Sequence, residues 1–387
     1  MNHLKHGSLA AALIAIGVAA TLTLAGCVSG TTSSGGSTSG AGGADVTAAK
    51  TVVTKYSKLD TTFVAPGPAI SNVSSLAGKK VMFIPANGVV PYFDVSLNGI
   101  KSALASAKIT ATECDAKANP SDAASCLNQV MSQGYSAVII DSLPPVIAQQ
   151  AFEAVEKAGI PILLLSQSVP AGSSSNVQAT GANYVQLLTI AADVITVDSK
   201  GTANTLGVAV NDSPITVQWV TQGAQPEFKA NCPGCKFSVI YTKTTALQQL
   251  PSLVSAALLK TPATDYILPE FGAVLDGSIQ GAQNASRTNI KIVSTTAGLD
   301  NVQRLKAGTE LADVGFDLNA QGWYASDTLI RMMLKLPVDT SKTVIRPRIF
   351  TKATIAGLDL TQAGWEDSSW YGGTGYQDKL KALWGVN

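Results

Sequence analysis

Histidine is almost missing from this chain of 387 residues, which has only His3 and His6. If the leading segment is removed, no imidazole remains. That excludes Ser-His-Asp and Cys-His nucleophile pairs, imidazole acid–base chemistry and most catalytic zinc sites. Charge is scarce too. Charged residues make up 14% of the chain and the net charge is +1, so it lacks the basic face of a nucleic-acid binder and the excess of a disordered acidic protein. No phosphate-binding loop of the G-x-x-x-x-G-K-[S/T] type occurs, and Gly372, Gly373 and Gly375 do not follow a strand, so a nucleotide fingerprint is not expected. These absences predict no enzyme activity and no cofactor or metal. Any ATPase acting with the protein is a separate chain.

The low charge is made up by Ser, Thr, Asn and Gln, leaving a neutral polar surface. The length exceeds one comfortable hydrophobic core and predicts two domains of about 100 to 200 residues each.

The amino terminus reads as an export signal. Lys5 stands in a short polar lead, and Leu9 to Leu24 is almost wholly apolar but shorter than the roughly 20 residues of a membrane span. It ends Leu24-Ala25-Gly26-Cys27, which resembles the bacterial lipobox. That resemblance implies a signal over 1–26 and a lipid on Cys27 that tethers the protein to the outer face of the cytoplasmic membrane, at the cell surface or in the periplasm. An uncleaved membrane anchor is the alternative. Residues 27–45 are mostly Gly, Ser, Thr and Ala, a flexible linker reaching on the order of 20 to 25 Å. The lead-in over 46–78 carries a helical period at Val46 to Lys58, broken by Ala65-Pro66-Gly67-Pro68, and is expected to pack loosely on the first domain.

The body then alternates strand and helix. Lys80 to Pro85 is a short apolar run, as in a parallel strand covered on both faces. Asn87-Gly88 turns the chain and Pro91 suits a first helical turn. Tyr92 and Phe93 thus sit where a strand's carboxyl end meets a helix, the place where open α/β sheets bind ligands; the alternative is that they pack into core. Strands are expected at Ile109 to Cys114, Ala137 to Asp141 and Ile160 to Leu165. A second series runs at Thr205 to Asn211, Phe237 to Thr242, Tyr266 to Pro269, Ile290 to Thr295 and Leu311 to Phe316. The helices between most of them imply right-handed βαβ units in parallel sheets. The fold class is therefore α/β with two Rossmann-like lobes, and a cleft between lobes is a favoured ligand site.

The runs KKVMFIPANGVVPYFDVSLNGIKSAL, NPSDAASCLNQVMSQGYSAVIIDSLPPVIAQQAFEAVEKAGIPILLL and NIKIVSTTAGLDNVQRLKAGTELADVGFD resemble the type I periplasmic binding proteins, in the sugar-binding branch that feeds ABC importers. The resemblance covers about Lys79 to Phe350. It implies a first lobe of 79–181 with 318–338 and a second of 182–317 with 339–387. The chain would cross between them near Thr180 to Asn183, near Phe316 to Asn319 and after Leu336, forming a multi-strand hinge. It also implies a ligand held by Tyr92 and Phe93 and by residues near Ser166, Gln167, Asn183, Gln218, Trp219, Glu270, Phe271, Thr296 and Asp317. Ribose-type members carry Asp-Arg, an arginine, Asn-Asp and an aspartate where this chain has Ser166-Gln167, Gln218-Trp219, Glu270-Phe271 and Thr296, which argues against a simple pentose. For each of these positions, ordinary packing or a surface polar group is the competing reading.

These candidates include no Lys or Arg. Aromatic rings bind the C–H faces of sugars or other flat ligands, and carboxylates accept hydroxyl or ammonium protons, so a neutral or cationic, sugar-like ligand is expected. The partners implied are that small molecule, a membrane permease with separate ATPase subunits, and the membrane through the lipid. The protein is expected to be a monomer. Two other functions stay open: a sensory receptor for a signal molecule such as an autoinducer, coupled to a membrane signalling protein, and a surface carbohydrate hydrolase using Glu270 and Asp317.

Four cysteines remain besides Cys27, an even count for an exported chain. Local pairing joins Cys114 to Cys126 and Cys232 to Cys235. The latter spacing also fits a redox C-x-x-C, but Pro-Gly between the cysteines suits a turn. The tail GWEDSSWYGGTGYQDKLKALWGVN is expected to cap the second lobe's core or to line the entrance between lobes.

Overall fold

Strand length and apolar continuity set the architecture. The computed structural model describes residues 46–386; the expected signal, Cys27 and linker lie outside the described residues. In order, the first half contains α1 (Thr47–Tyr56), β1 (Lys80–Pro85), α2 (Pro91–Ser106), β2 (Thr110–Glu113), α3 (Pro120–Ser132), β3 (Ala137–Asp141), α4 (Gln149–Lys157), β4 (Ile162–Leu165) and β5 (Val177–Thr180). The second contains α5 (Tyr184–Asp198), β6 (Asn204–Val210), α6 (Pro214–Trp219), α7 (Gln225–Asn231), β7 (Lys236–Thr242), α8 (Leu250–Lys260), β8 (Tyr266–Pro269), α9 (Gly272–Asn284), β9 (Lys291–Thr295), α10 (Leu299–Ala307) and β10 (Ala312–Phe316). The chain continues through α11 (Leu318–Met333), β11 (Pro347–Thr351), α12 (Gln362–Glu366) and α13 (Gly375–Trp384).

Two sheets result, a five-stranded one ordered β2-β1-β3-β4-β5 and a six-stranded one ordered β11-β10-β9-β8-β6-β7. All pairings are parallel except β10 with the edge strand β11. The order reverses between β1 and β3 in one sheet and between β6 and β8 in the other. Such switch points open a crevice at the carboxyl ends of the strands. Register places Asp141 beside Pro85 and sets Pro269, just before Glu270, opposite Val208. The central strands are buried on both faces, in β1 from Val81 to Pro85, as their unbroken apolar runs require.

α11 returns to the first lobe and lies against α2. The two helices cross at glycine. A Cβ on Gly99 would stand 2.5 Å from the Asn319 carbonyl oxygen, and one on Gly322 would stand 2.6 Å from the Ile100 nitrogen. This close approach brings the start of α11 to the start of α2, beside the β1–β3 switch point.

The structure departs from sequence expectation in four places. A short strand, β5, and the helical stretch 214–231 were not foreseen, because each is interrupted: β5 has four residues, and α6 and α7 are separated by a π-helical segment at Val220–Ala224. α11 begins at Leu318, directly after β10, because its polar first turn is capped by the Asp317 side chain, which accepts from the Ala320 amide. The lead-in is not loosely packed on the first lobe. α1 lies on α5 of the second, Asp60 pairs with Arg346 at 2.8 Å, and the Ile70 amide bonds the Leu383 carbonyl at 2.7 Å. The tail serves both lobes: Trp370 is buried against Phe350, while Trp384 stacks on Trp323 at 5.8 Å and donates to Asp327 at 2.7 Å. Both local disulfides, Cys114–Cys126 and Cys232–Cys235, are formed.

Candidate functional site

Pro91 starts α2 directly after the β1 loop, so the next residue, Tyr92, projects at the mouth of the first switch point. Its hydroxyl meets three partners: Ser166 Oγ at 3.5 Å, Tyr184 Oη at 3.3 Å, and Gln321 Nε2, which donates at 3.3 Å. Gln321 is fully buried on α11, and its Oε1 accepts the Ala182 amide at 3.0 Å. One amide therefore joins the first-lobe ring to the segment crossing into the second lobe.

An aromatic chain runs across the cleft. Tyr92 meets Phe93 edge-on at 5.1 Å and Phe316 at 6.5 Å; Tyr184 meets Phe316 edge-on at 5.8 Å. Tyr184 then lies flat on Trp219, with centroids 4.1 Å apart and planes at 12°, and Trp219 meets Phe271 edge-on at 6.3 Å. Beside this chain is a cavity of about 230 Å³ whose lining includes Ser166, Gln167, Thr180, Asn183, Gln218 and Trp219, with Gln222 and Thr340. No Lys or Arg lines it. The lining amides and hydroxyls both donate and accept, which suits a neutral polyhydroxyl surface.

Of the residues singled out from sequence, Ser166, Gln167, Asn183, Gln218 and Trp219 line this cavity. Asn183 also caps α5, accepting from the Gln186 amide at 3.1 Å. Tyr92 stands behind Ser166. Phe93 is buried in the core, and Phe271 is partly buried against Trp219. Thr296 adopts φ +76°, and its Oγ1 accepts the Gly272 amide at 3.2 Å. Asp317 is spent on capping α11 and on a bond from Ser368 at 3.1 Å. Glu270 and Asp317 are both buried.

Each switch point holds a buried acid. Asp141 ends β3 and accepts from Ser142 at 2.9 Å and Ser96 at 3.5 Å; burial pushes its carboxyl up to about 7, against the pull of those hydroxyls and of Ser166. Glu270 follows β8. Its Oε2 accepts the Val210 amide at 2.8 Å, while its Oε1 has no partner among the described residues. Burial pushes it up to about 8, the Val210 bond opposing and Asp212 adding to the shift.

Sequence reasoning missed Asp141, Tyr184, Gln222, Gln321 and Thr340. Asp141 had a signal, an acid closing an apolar strand. Tyr184 and Gln321 had none, since each acts through a partner distant in the chain.

A family model described as a periplasmic binding protein domain matches residues 81–335, and the chain belongs to that family, with the type I fold. No curated protein matches it in sequence. Among solved structures it is similar to a 5-methylthioribose transporter solute-binding protein from Thermotoga lettingae, with TM-score 0.63 and 17% identity over 79% of this chain and 96% of that one. A glucose-galactose binding protein from Geobacillus stearothermophilus gives TM-score 0.63 and 15% identity over 71% and 98% of the two chains. An ABC transporter solute-binding protein from Agrobacterium vitis bound to α-D-tagatopyranose gives TM-score 0.63 and 17% identity over 72% and 96%.

Proposed function

We propose that the protein is the extracytoplasmic receptor of an ABC importer, binding a neutral or cationic, sugar-like molecule between lobes that close by hinge motion. The lobes move as 79–181 with 318–338 against 182–317 with 339–387. The lipid on Cys27 holds the receptor near its permease, and no chemistry is done on the ligand. The observation that carries this reading is the interlobe cavity, lined by amides and hydroxyls beside Trp219 and lacking any cationic side chain. The sugar complexes among the similar folds support the ligand class. An anionic ligand would bury its charge in a cavity whose lining has no cationic side chain to compensate it, at a cost of several kcal/mol.

The test is calorimetry with a panel of D-glucose, D-allose, D-tagatose and 5-methylthioribose, alongside glucose 6-phosphate. At least one neutral member is expected to bind with Kd near 1 µM or below, about −8 kcal/mol, and the phosphate not at all. Preference for the phosphate overturns the reading. Deleting the gene is expected to abolish uptake of the ligand so found.

A further inference from the structure

We infer that the Tyr184 side chain occupies the place of the ligand's ring, a built-in surrogate that the ligand displaces. The inference rests on the cleft being the ligand site and specifies which ligand shape it takes.

Three observations carry it. First, Tyr184 makes the contacts a bound ring would make: one face flat on Trp219 at 4.1 Å, its edge toward Phe316, and its single hydroxyl on Tyr92 at the far side. Second, with Tyr184 in place the second lobe's main stacking surface is spent. Trp219 is 8% exposed, covered on one face by the phenol and met edge-on by Phe271, so no open ring face is left for a sugar's C–H face. Third, although the Tyr184 ring is 6% exposed and packed in the core, the backbone that carries it can give. Tyr184 is the first residue of α5, where the backbone amides have no intrahelical acceptor to lose. The chain before it turns through Gly181 at φ +132°, a conformation glycine adopts without strain. The Asn183 cap holds the helix by the Gln186 amide and does not involve the Tyr184 ring.

The contacts describe the guest. It is a single six-membered ring, apolar on the face that meets Trp219, with a hydroxyl at the edge that meets Tyr92. A pyranose meets this description, and a p-alkylphenol does so without being a sugar.

The experiment compares the full chain with Tyr184→Ala and Tyr184→Phe by calorimetry, using p-cresol and the neutral sugar panel, with circular dichroism to confirm folding. Tyr184→Ala is expected to bind p-cresol where the parent does not, because an apolar cavity of matching shape takes a small aromatic guest. Any panel sugar that binds the parent is expected to bind Tyr184→Ala at least tenfold more tightly, and Tyr184→Phe about threefold more tightly, since Tyr92 is then released. Weaker sugar binding in both variants makes Tyr184 a platform and overturns the inference, as does failure of folded Tyr184→Ala to take p-cresol. If Tyr184→Ala does not fold, the direction of change in Tyr184→Phe decides. If p-cresol fills Tyr184→Ala and no sugar binds any form, the surrogate stands and the sugar reading falls.

Discussion

The two lobes contribute to the cleft in opposite ways. On the first, the polar atoms at the switch point are already satisfied, the Tyr92 hydroxyl having three partners and Asp141 being bonded by serine hydroxyls, although Thr180 Oγ1 on the cavity wall has no partner among the described residues. On the second lobe, one buried oxygen of Glu270 has no partner among the described residues, and Trp219 is covered by a neighbouring phenol and met edge-on by Phe271. An unpartnered buried oxygen costs on the order of 1–3 kcal/mol. At the two switch points the contrast is therefore between an acid bonded by hydroxyls on the first lobe and one with an open acceptor oxygen on the second.

Ligand affinity is expected to respond unequally to changes on the two sides. The largest effect is at Trp219: Trp219→Ala is expected to weaken binding about 30- to 100-fold, as a buried aromatic anchor does, whereas Tyr92→Phe costs about fivefold, one hydrogen bond. Equal losses, measured by calorimetry, would break the contrast. Next are the two acids. Glu270→Gln keeps an oxygen for the Val210 amide and a donor where the protonated acid has its hydroxyl, but loses that oxygen as an acceptor, so a loss of about threefold to tenfold is expected. Asp141→Asn faces serine hydroxyls that rotate to suit it, and less than threefold is expected.

The smallest effect is on stability against pH. Burial raises the carboxyls of Asp141 to about 7 and of Glu270 to about 8 in the folded state. The native state therefore holds protons that the unfolded chain releases. Stability from these groups is complete below their ordinary range near pH 4 and is lost as pH rises through about 7 and about 8. Tm is expected to fall by roughly a few degrees between about pH 5 and 8. Each contribution runs from the ordinary carboxylate range up to the group's own folded value, so Glu270→Gln is expected to shrink the fall across the whole window and Asp141→Asn to shrink it below about pH 7, while Asp193, Asp313 and Asp317, also raised by burial, supply the remainder. Two unchanged melting profiles would show that neither acid is held protonated.

Much of the fold was legible because it rests on local regularities. Apolar runs such as Val81 to Pro85 and Ala137 to Ile140 need no partner to be recognised as buried strands, and Pro91 marks the start of α2 wherever that helix packs. The site was legible only where a residue sits at a strand or helix end on the cleft, as Ser166, Gln167 and Trp219 do. Phe93, in the first turn of α2, and Asp317, just before α11, both lie near helix starts, yet one packs inward and the other caps a helix. That difference depends on rotation about the helix axis and on a tail serine 51 residues away.

By itself, the order of residues determined the alternation of strands and helices and the two short-range disulfides, because each follows from spacing along the chain. Tertiary structure alone decided that Gln321 ties Tyr92 to the crossing segment, that two acids at separate switch points flank one cleft, and that Tyr184 lies on Trp219. Those facts depend on hydrogen-bond and van der Waals contacts of a few ångströms between residues that only the closed fold brings together.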